Sequence, residues 1–338
     1  MDKIENPVKQ SPIICYLHHA YALAIIMNYP QFLPWFYSHY IQLFCYINSK
    51  IFFNFYTPYD IFHSAPCLDN KYFHKKDVVL MNVDAKQFIN DYIKEGYYVC
   101  TYLNEFYMPG KSTYKVSDFE HECLIYGYDN VNRRYSILGF NSRANYVSDY
   151  LNYEVFDAAY MHAFKDDILV LSRVKPEYEP GFDVGLVKLF LRDYIYSGNT
   201  SRLYDERNDF VWGIKVFECL KPYLDRVVAE GSFPDFRFFH VFWEHKKCLL
   251  DRINYMLQNG YIQSPSHYAS YLDIEKKFLI LRNTVYKFNL ICARNNTPCD
   301  RNMAEKILIL ADKAVENEVN ILENLLSELE HLNKDGLL

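Results

Sequence analysis

The stretch 121–141, HECLIYGYDNVNRRYSILGFN, decides how the first half of the chain folds. Its segments HECLIYGY and RRYSILGF are rich in β-branched, aromatic and aliphatic side chains, which favours two strands. Asp129-Asn130 is a turn signal between them. The stretch therefore predicts an antiparallel hairpin. Because residues at the open end of a hairpin lie side by side, the side chains of His121 and Asn141 are expected to meet.

Local sequence patterns also predict helices and strands on both sides of this hairpin. A capped helix ends at Gly96, a strand follows it, and a short helix and another strand come after the hairpin. With the helix that opens the chain, they predict an α+β domain with a meandering antiparallel sheet. The expected ranges are 84–95 and 152–164 for the helices and 97–108 and 167–174 for the strands. Residues 28–75 are expected to form short helices and irregular loops.

The composition changes near residues 174–182, VKPEYEPGF, which hold two prolines, a glycine and several charges. This change predicts a boundary between a mixed domain, 1–175, and a second domain, 180–338. From Asp183 onward, apolar residues recur at helical spacing, so an all-helical bundle of about five helices is expected. The predicted helices are 183–197, 209–230, 236–259, 267–294 and 301–331.

Composition also excludes several classes of function. The chain has 338 residues, a net charge of −6 and few glycines, with no G-x-G-x-x-G or P-loop pattern. Its acidic balance and lack of a Lys/Arg run argue against a nucleic-acid partner. No secretory signal or apolar window of about 20 residues is present, so no membrane partner is expected. Nine cysteines without a C-x-x-C pair favour reduced thiols in a cytoplasm.

The opening segment SPIICYLHHAYALAIIM, residues 11–27, contains a cysteine that is a candidate nucleophile. Ser11 is a good N-cap and Pro12 suits a first helical position, so Cys15 is expected in the first turn of a helix. The positive end of a helix macrodipole favours the thiolate, which is the nucleophilic form. A nucleophilic cysteine also needs a base and an orienting partner. His121 and Asn141 supply both, giving the chain order Cys, His, Asn.

That order is the one used by papain-like cysteine enzymes, and the segment 10–172 resembles the butirosin-biosynthesis H family, which is related to C39-like peptidases. The Cys-headed helix, the H-x-x-L-I-Y-G-Y-D hairpin and the segment NYEVFDAA carry the resemblance. It implies that residues 1–175 form a papain-like catalytic domain. It also implies transfer of an acyl group from a carrier-protein thioester to an amine, in antibiotic biosynthesis or in nonribosomal peptide assembly.

Carried onto this chain, the resemblance makes Cys15 the nucleophile and His121 the general base and acid. Asn141 takes the third position, where C39-like enzymes usually have Asp; an amide orients an imidazole but supplies no charge. An oxyanion-hole Gln usually precedes the Cys by about six residues, and Gln10 precedes it by five. The backbone N–H of Cys15 is the other candidate donor. No cofactor is expected beyond the phosphopantetheine arm of an acyl or peptidyl carrier protein.

Other polar side chains have simpler interpretations. His18 and His19 fit the surface of a helix or a satisfied core position, although one of them, with Tyr16, is a candidate for lining an acceptor pocket. Asp149 and Asp129 are weaker substitutes for Asn141. No metal is expected, because two groups of possible ligands lack the spacing of a structural zinc site. These groups are His63, Cys67 and His74, and His240, His245 and Cys248.

Three functions remain open at this point. The first is a cysteine acyltransferase or amide synthase that uses a carrier-bound thioester and an amine, either a small molecule or a peptidyl substrate. The second is a cysteine peptidase or amidase that uses the same residues. The third is a non-catalytic binding protein on a papain-like scaffold, since a fold alone does not establish an activity.

Overall fold

A computed structural model describes residues 2–48, 51–57, 65–163, 168–202 and 209–332. The chain divides into two compact units. The first contains Met1–Phe32 and Tyr59–Pro180, and the second contains Leu33–Pro58 and Gly181–Leu338. The change of unit at Pro180 lies where the composition shifts. The predicted first domain, however, also included residues 33–58, which belong to the second unit.

The first unit is built on an antiparallel sheet in the order β4-β9-β5-β6-β7-β8, with β1 beside the last residues of β6. The central strands β5, β6 and β7 are buried over most of their length, as expected of strands whose two faces are covered. The strands are β1 (Lys3–Glu5), β4 (Leu68–His74), β5 (Tyr98–Asn104), β6 (Glu120–Asp129), β7 (Arg134–Phe140), β8 (Tyr146–Asn152) and β9 (Ile168–Val174).

Helices of the first unit cover this sheet. Apolar side chains of α4 and α5 join those of β5, β6 and β7 in one core cluster, which includes Phe88, Ile125 and Phe156. The helices are α1 (Leu17–Ile26), α3 (Lys75–Leu80), α4 (Ala85–Lys94) and α5 (Tyr153–Met161). The first unit is thus a mixed α+β fold with an antiparallel sheet, as the sequence predicts.

The hairpin is confirmed. β6 pairs with β7 in an antiparallel register that runs from Asp129↔Arg134 to Leu124↔Leu138, with a bulge between Ile125 and Gly127. Three strands of the sheet were not predicted, β1, β4 and β8. β4 carries Asp, Asn, Lys and His within LDNKYFH, and β8 exposes three consecutive residues in its middle. Both lie at edges of the sheet, where a buried alternating pattern is not required.

The opening helix begins later than the sequence predicts. Ser11 accepts a hydrogen bond from the amide of Ile13 at 3.2 Å, so it closes a local turn, while the helix starts at Leu17. Tyr16, in an extended conformation, occupies the N-cap position. Cys15 therefore lies just before the helix and not in its first turn. The orphan N–H groups of the first turn still point toward that end of the chain.

The second unit is not all-helical, because it contains a three-stranded antiparallel sheet in the order β10-β2-β3. Its strands are β2 (Gln42–Tyr46), β3 (Phe52–Tyr56) and β10 (Phe210–Trp212). The predicted helix 301–331 is two helices, and β10 and a 3-10 segment, Gly213–Cys219, replace the first part of 209–230. The helices are α2 (Leu33–Ser38), α6 (Val184–Tyr196), α7 (Leu220–Ala229), α8 (Phe236–Gln258), α9 (Ser266–Asn295), α10 (Arg301–Val315) and α11 (Glu318–Leu332).

Buried polar side chains of α8 hold the segment 33–58 in the second unit. Arg252 is almost completely buried and donates to the backbone carbonyls of Tyr37 and His39. His245 contacts the carbonyl of Ile41 through Nε2 at 2.6 Å. These bonds satisfy carbonyls in the last turn of the short helix α2 and just after it, where a helix leaves acceptors without internal partners.

A fully buried ion pair lies in the same unit. The ammonium of Lys246 on α8 contacts Oε1 of Glu318 on α11 at 2.8 Å, and both side chains have no exposed surface. Tyr194 and Tyr271 donate their hydroxyl groups to the same carboxylate. Burial lowers the pKa of Lys246 to about 8, although Glu318 acts in the opposite direction. Removing one partner would therefore leave a charge in the core without its counter-ion.

We expect Lys246→Met to lower the free energy of unfolding by about 3–5 kcal/mol, because Glu318 remains buried without its cation. Lys246→Met combined with Glu318→Leu should regain most of that loss, since both charges are then absent. The control is Lys247→Met, on the exposed side of α8 beside Asp251, which should cost less than about 1 kcal/mol. Urea denaturation measures all three; a double variant as unstable as Lys246→Met would contradict the interpretation.

The close approach of β1 to β6 depends on a glycine. A Cβ atom at Gly127 would lie 2.6 Å from the carbonyl oxygen of Ile4 and 2.9 Å from Cα of Glu5. Both are backbone atoms that cannot move without shifting β1. We expect Gly127→Ala to lower the free energy of unfolding by about 1–3 kcal/mol. Gly181→Ala, with nothing within 4 Å of its Cβ, is the control, and equal denaturation midpoints for the two variants would refute this expectation.

Candidate active site

The side chains of His121 and Glu105 meet at one end of the sheet in the first unit. Nδ1 of His121 lies 3.2 Å from Oε1 of Glu105. This contact assigns the proton of the neutral ring to Nδ1, because a carboxylate only accepts. Nε2 then carries the lone pair and lies 3.8 Å from Oε2 of Glu122. The arrangement is that of an imidazole base held in one orientation and one tautomer by a carboxylate.

The register of β5 and β6 produces this contact. Leu103 is paired with His121 in the antiparallel ladder. Glu105 stands two residues beyond Leu103, so alternation of side chains places it on the same side as His121 and diagonally opposite it. At this point β5 ends and a 3-10 turn, Glu105–Tyr107, begins. Asn104 caps that turn by accepting from the amide of Phe106 at 3.0 Å, which fixes the residue next to Glu105.

Glu105 is an ionised group in a mostly buried place. Its side chain is only 9% exposed, whereas that of His121 is 29% exposed. Burial by itself raises the pKa of Glu105, but the hydrogen bond from His121 and the charge of Lys111 outweigh burial and hold the pKa below its usual value. The carboxylate therefore stays negative at neutral pH and can stabilise a protonated imidazole.

Asn141 does not occupy the position at Nδ1 that the sequence assigns to it. Its side-chain oxygen accepts from the amides of Arg143 and Asn145, at 2.9 and 3.1 Å, within its own turn. The ladder between β6 and β7 ends at Leu124↔Leu138, three residues before His121. The equivalent position opposite His121 therefore lies outside the paired region. Glu105 contacts Nδ1 of the ring, the place that the sequence assigns to Asn141.

Contacts of α1 show which end of β6 faces Cys15. The C-terminal end of α1 is tied to Pro7 through Asn28, and the neighbouring Asn6 donates to the carbonyl of Tyr126. Tyr21, in the first half of α1, donates its hydroxyl to the carbonyl of Glu122 at 2.9 Å. The helix thus runs in the same direction as β6, and its first residues lie about 6 Å beyond Tyr21 along the axis.

Cys15 therefore lies at the end of α1 that points toward the start of β6, the end of the sheet where His121 and Glu105 meet. Its side chain is buried, with 6% exposure. The thiol is therefore largely screened from bulk solvent. The structure brings Glu105 and His121 into direct contact, and Cys15 lies toward the same end of the sheet.

The remaining predicted site residues lie around the start of α1. Tyr16 and His19 are buried and His18 is half-buried. The rings of Tyr16 and His18 are stacked, with centroids 5.7 Å apart, and the rings of His18 and His19 are 4.2 Å apart. Gln10 is exposed, which is not the burial expected of an oxyanion-hole donor. The backbone N–H of Cys15 therefore remains the better candidate for that role.

No predicted metal ligands form a cluster in the described part of the chain. His240 contacts Glu244 through Nε2 and accepts from Arg282 at Nδ1, so both of its ring nitrogens are used. Nδ1 is therefore engaged by a cation and not open to a metal. Within the described ranges there is no group of three or more His, Cys, Asp and Glu that could hold a metal ion. His63 lies outside the described residues.

Comparisons with known proteins leave the family open. No family model matches the chain, and no curated protein matches it. Among the helices that the structure describes, none is both long enough and apolar enough to cross a membrane. The resemblance to the butirosin-biosynthesis H family therefore remains a prediction.

Glu105 is a candidate site residue that sequence reasoning missed. It lies inside YYVCTYLNEFYM, which the sequence presents as one strand through residue 108, whereas the strand ends at Asn104. Asn104-Glu105 is a polar pair inside an otherwise apolar and aromatic run, and such a pair marks a strand end. Only the pairing of β5 with β6 shows that this end lies beside His121.

The two candidates for the third member can be separated by the tautomer of His121. In the unchanged protein we expect the neutral ring to carry its proton on Nδ1, as judged by the ¹⁵N chemical shifts of the labelled imidazole. Glu105→Gln should produce a mixture of tautomers, because the charged acceptor is lost. Asn141→Ala should leave the ring signals unchanged. If Asn141→Ala alters the tautomer and Glu105→Gln does not, Asn141 is the partner.

Proposed function

We propose that this chain is a cysteine acyltransferase that moves an acyl group from a carrier-protein thioester to an amine. The observation that supports it most is the contact between His121 and the buried carboxylate of Glu105, at the end of the sheet toward which the start of α1 points. A general base needs its lone pair held in one place, and a carboxylate at Nδ1 holds it on Nε2. Cys15 is the nucleophile that the sequence places there.

The proposed reaction has two steps. In the first, His121 removes the proton of Cys15, and the thiolate attacks the thioester carbonyl. A new C–S bond forms to Cys15, the C–S bond to the phosphopantetheine arm breaks, and the leaving thiolate takes the proton from His121. In the second, an amine attacks the acyl-enzyme, a C–N bond forms, and the C–S bond to Cys15 breaks. His121 takes the amine proton and returns it to the Cys15 sulfur.

Each residue has a separate role in this proposal. Glu105 keeps the lone pair of His121 on Nε2 and stabilises the imidazolium that forms in each step. The backbone N–H of Cys15 is the donor for the oxyanion. A papain-like arrangement, with a helix that carries the cysteine and a sheet that carries the histidine, is part of the same proposal. Exchange between thioesters is nearly neutral and aminolysis is favourable, so the reaction requires no nucleoside triphosphate.

The cysteines fit a reducing compartment. All nine are buried and none forms a disulfide, and disulfides are rare in the cytosol. Burial raises the pKa of Cys123 to about 12, although the charge of Lys111 acts against this effect. Cys123 is thus expected to be an unreactive neighbour of the site. It supplies a matched control for Cys15, and a cytoplasmic location is part of the proposal.

The test uses an acyl thioester of N-acetylcysteamine, a small mimic of the phosphopantetheine end. Intact mass spectrometry should show one acyl group added to the protein, on Cys15 by peptide mapping. Cys15→Ala should abolish the addition and Cys123→Ala should retain it. His121→Ala should slow the addition about 10²–10⁴-fold, because the proton transfer loses its base.

Adding a primary amine then separates the alternatives. An amide product supports the acyltransferase, whereas release of the free acid with or without amine indicates a hydrolase. A Cys15 thiol that gains no acyl group and reacts with iodoacetamide no faster than the other cysteines would overturn the enzyme assignment, leaving a binding protein.

A further inference from the structure

The carboxylate that orients His121 is shared with a lysine. Nζ of Lys111 lies 3.2 Å from Oε1 of Glu105, the same oxygen that Nδ1 of His121 contacts at 3.2 Å. The other oxygen, Oε2, accepts from the hydroxyl of Thr113 at 3.3 Å. Two groups that carry or can carry a positive charge thus compete for one oxygen atom.

Lys111 is held in this position from a second side. Its ammonium donates to the backbone carbonyl of Phe140 at the end of β7. Its own amide donates to the carbonyl of Met108, and the amide of Ser142 donates to the carbonyl of Gly110. With its side chain only 16% exposed, Lys111 is a fixed charge and not a mobile surface group.

A fixed ammonium on Glu105 changes what that carboxylate does for the histidine. A free carboxylate beside Nδ1 would stabilise the imidazolium strongly. Lys111 offsets that negative charge and adds a positive charge close to the ring, while its bond keeps the carboxylate in place. The geometry of the Glu105–His121 contact is retained, but its bias toward the charged ring is reduced.

We propose that Lys111 acts on His121 through Glu105: by offsetting the charge of that carboxylate at Nδ1, Lys111 reduces the stabilisation that the carboxylate gives to the protonated ring. The proposal relies on the proposed function only in treating His121 as a base. Lys111 acts through Glu105 and needs no contact with the substrate.

Other charged groups near the ring act on the same equilibrium. Glu122 faces Nε2 from β6 itself, with Oε2 at 3.8 Å, and its Oε1 accepts from the Tyr102 hydroxyl on β5. Phe119 presents an aromatic ring whose centroid is 5.2 Å from that of His121. Cys123, further along β6, is a neutral thiol. Glu105 and Glu122 favour the charged ring, and Lys111 is the cation that opposes them in the contacts described.

The experiment follows the imidazole of His121 by NMR as the pH is changed, with the signal assigned by its loss in His121→Gln. In Lys111→Met the midpoint of the His121 titration should rise by about half to one pH unit, because a positive charge near the ring is gone. Lys111→Arg keeps the charge and should leave the midpoint within about 0.2 of the unchanged protein. Lys115→Met, in the same loop beside Tyr114, should leave it unchanged.

A midpoint in Lys111→Met that is unchanged, lower, or matched by Lys115→Met would overturn the proposal. If Lys111→Met does not fold, Lys111→Gln, which can still donate to Phe140, gives the same comparison. Glu105→Gln adds an independent check, since its loss of negative charge should lower the midpoint.

The two proposals fail in different ways. Acylation of Cys15 that requires His121, together with a titration that ignores Lys111, would remove the role of Lys111 alone. A titration that responds to Lys111 as expected, together with a Cys15 that is never acylated, would remove the acyltransferase and leave the charge arrangement standing. The pH at which iodoacetamide labelling of Cys15 rises should follow the His121 midpoint if both hold.

Discussion

The pairing of β5 with β6 is the constraint on which the first unit and its site depend. It joins the predicted hairpin to the rest of the sheet, and its register brings the residue after β5 beside His121. A shift of one residue would turn Glu105 to the other side of the sheet. The same shift would move Leu103 out of the core cluster. One register therefore specifies both the packing of the core and the geometry of the site. Because a register shift would disrupt the core, the core stabilises the register that the site requires.

The sequence predicts the hairpin, the helix α4 and the α+β class because each depends on local patterns. Alternation, a turn signal and a cap are all read within about 20 residues. Glu105 could not be assigned in this way, because its position beside His121 depends on the pairing of β5 with β6, which no local pattern specifies. Asn141 looked suitable since a hairpin places its two ends together, but the ladder ends before reaching that position. Local patterns predict elements, whereas pairing decides which elements carry the site.

The second unit shows a different limit of prediction from sequence. Its long helices α8 and α9 follow apolar periodicity closely, so the sequence predicts them nearly to the residue. The segment 33–58 is dense in aromatic residues and prolines and has no period of its own. Its strands exist because β2 finds β10 far along the chain and because Arg252 binds the carbonyls before β2. Propensity carries no information about such distant partners.

The second unit is formed by two separate segments of the chain, 33–58 and 181–338. This arrangement has a consequence for synthesis on the ribosome. Residues 33–58 emerge early, but β10 follows about 160 residues later and Arg252 later still. At roughly 5–20 residues per second, β2 and β3 wait about ten to thirty seconds or more for their partners. During that time Phe44, Phe53 and Phe55 have no native cover from α8 or β10. The nascent chain thus has a defined interval in which a chaperone that binds aromatic segments would be most useful.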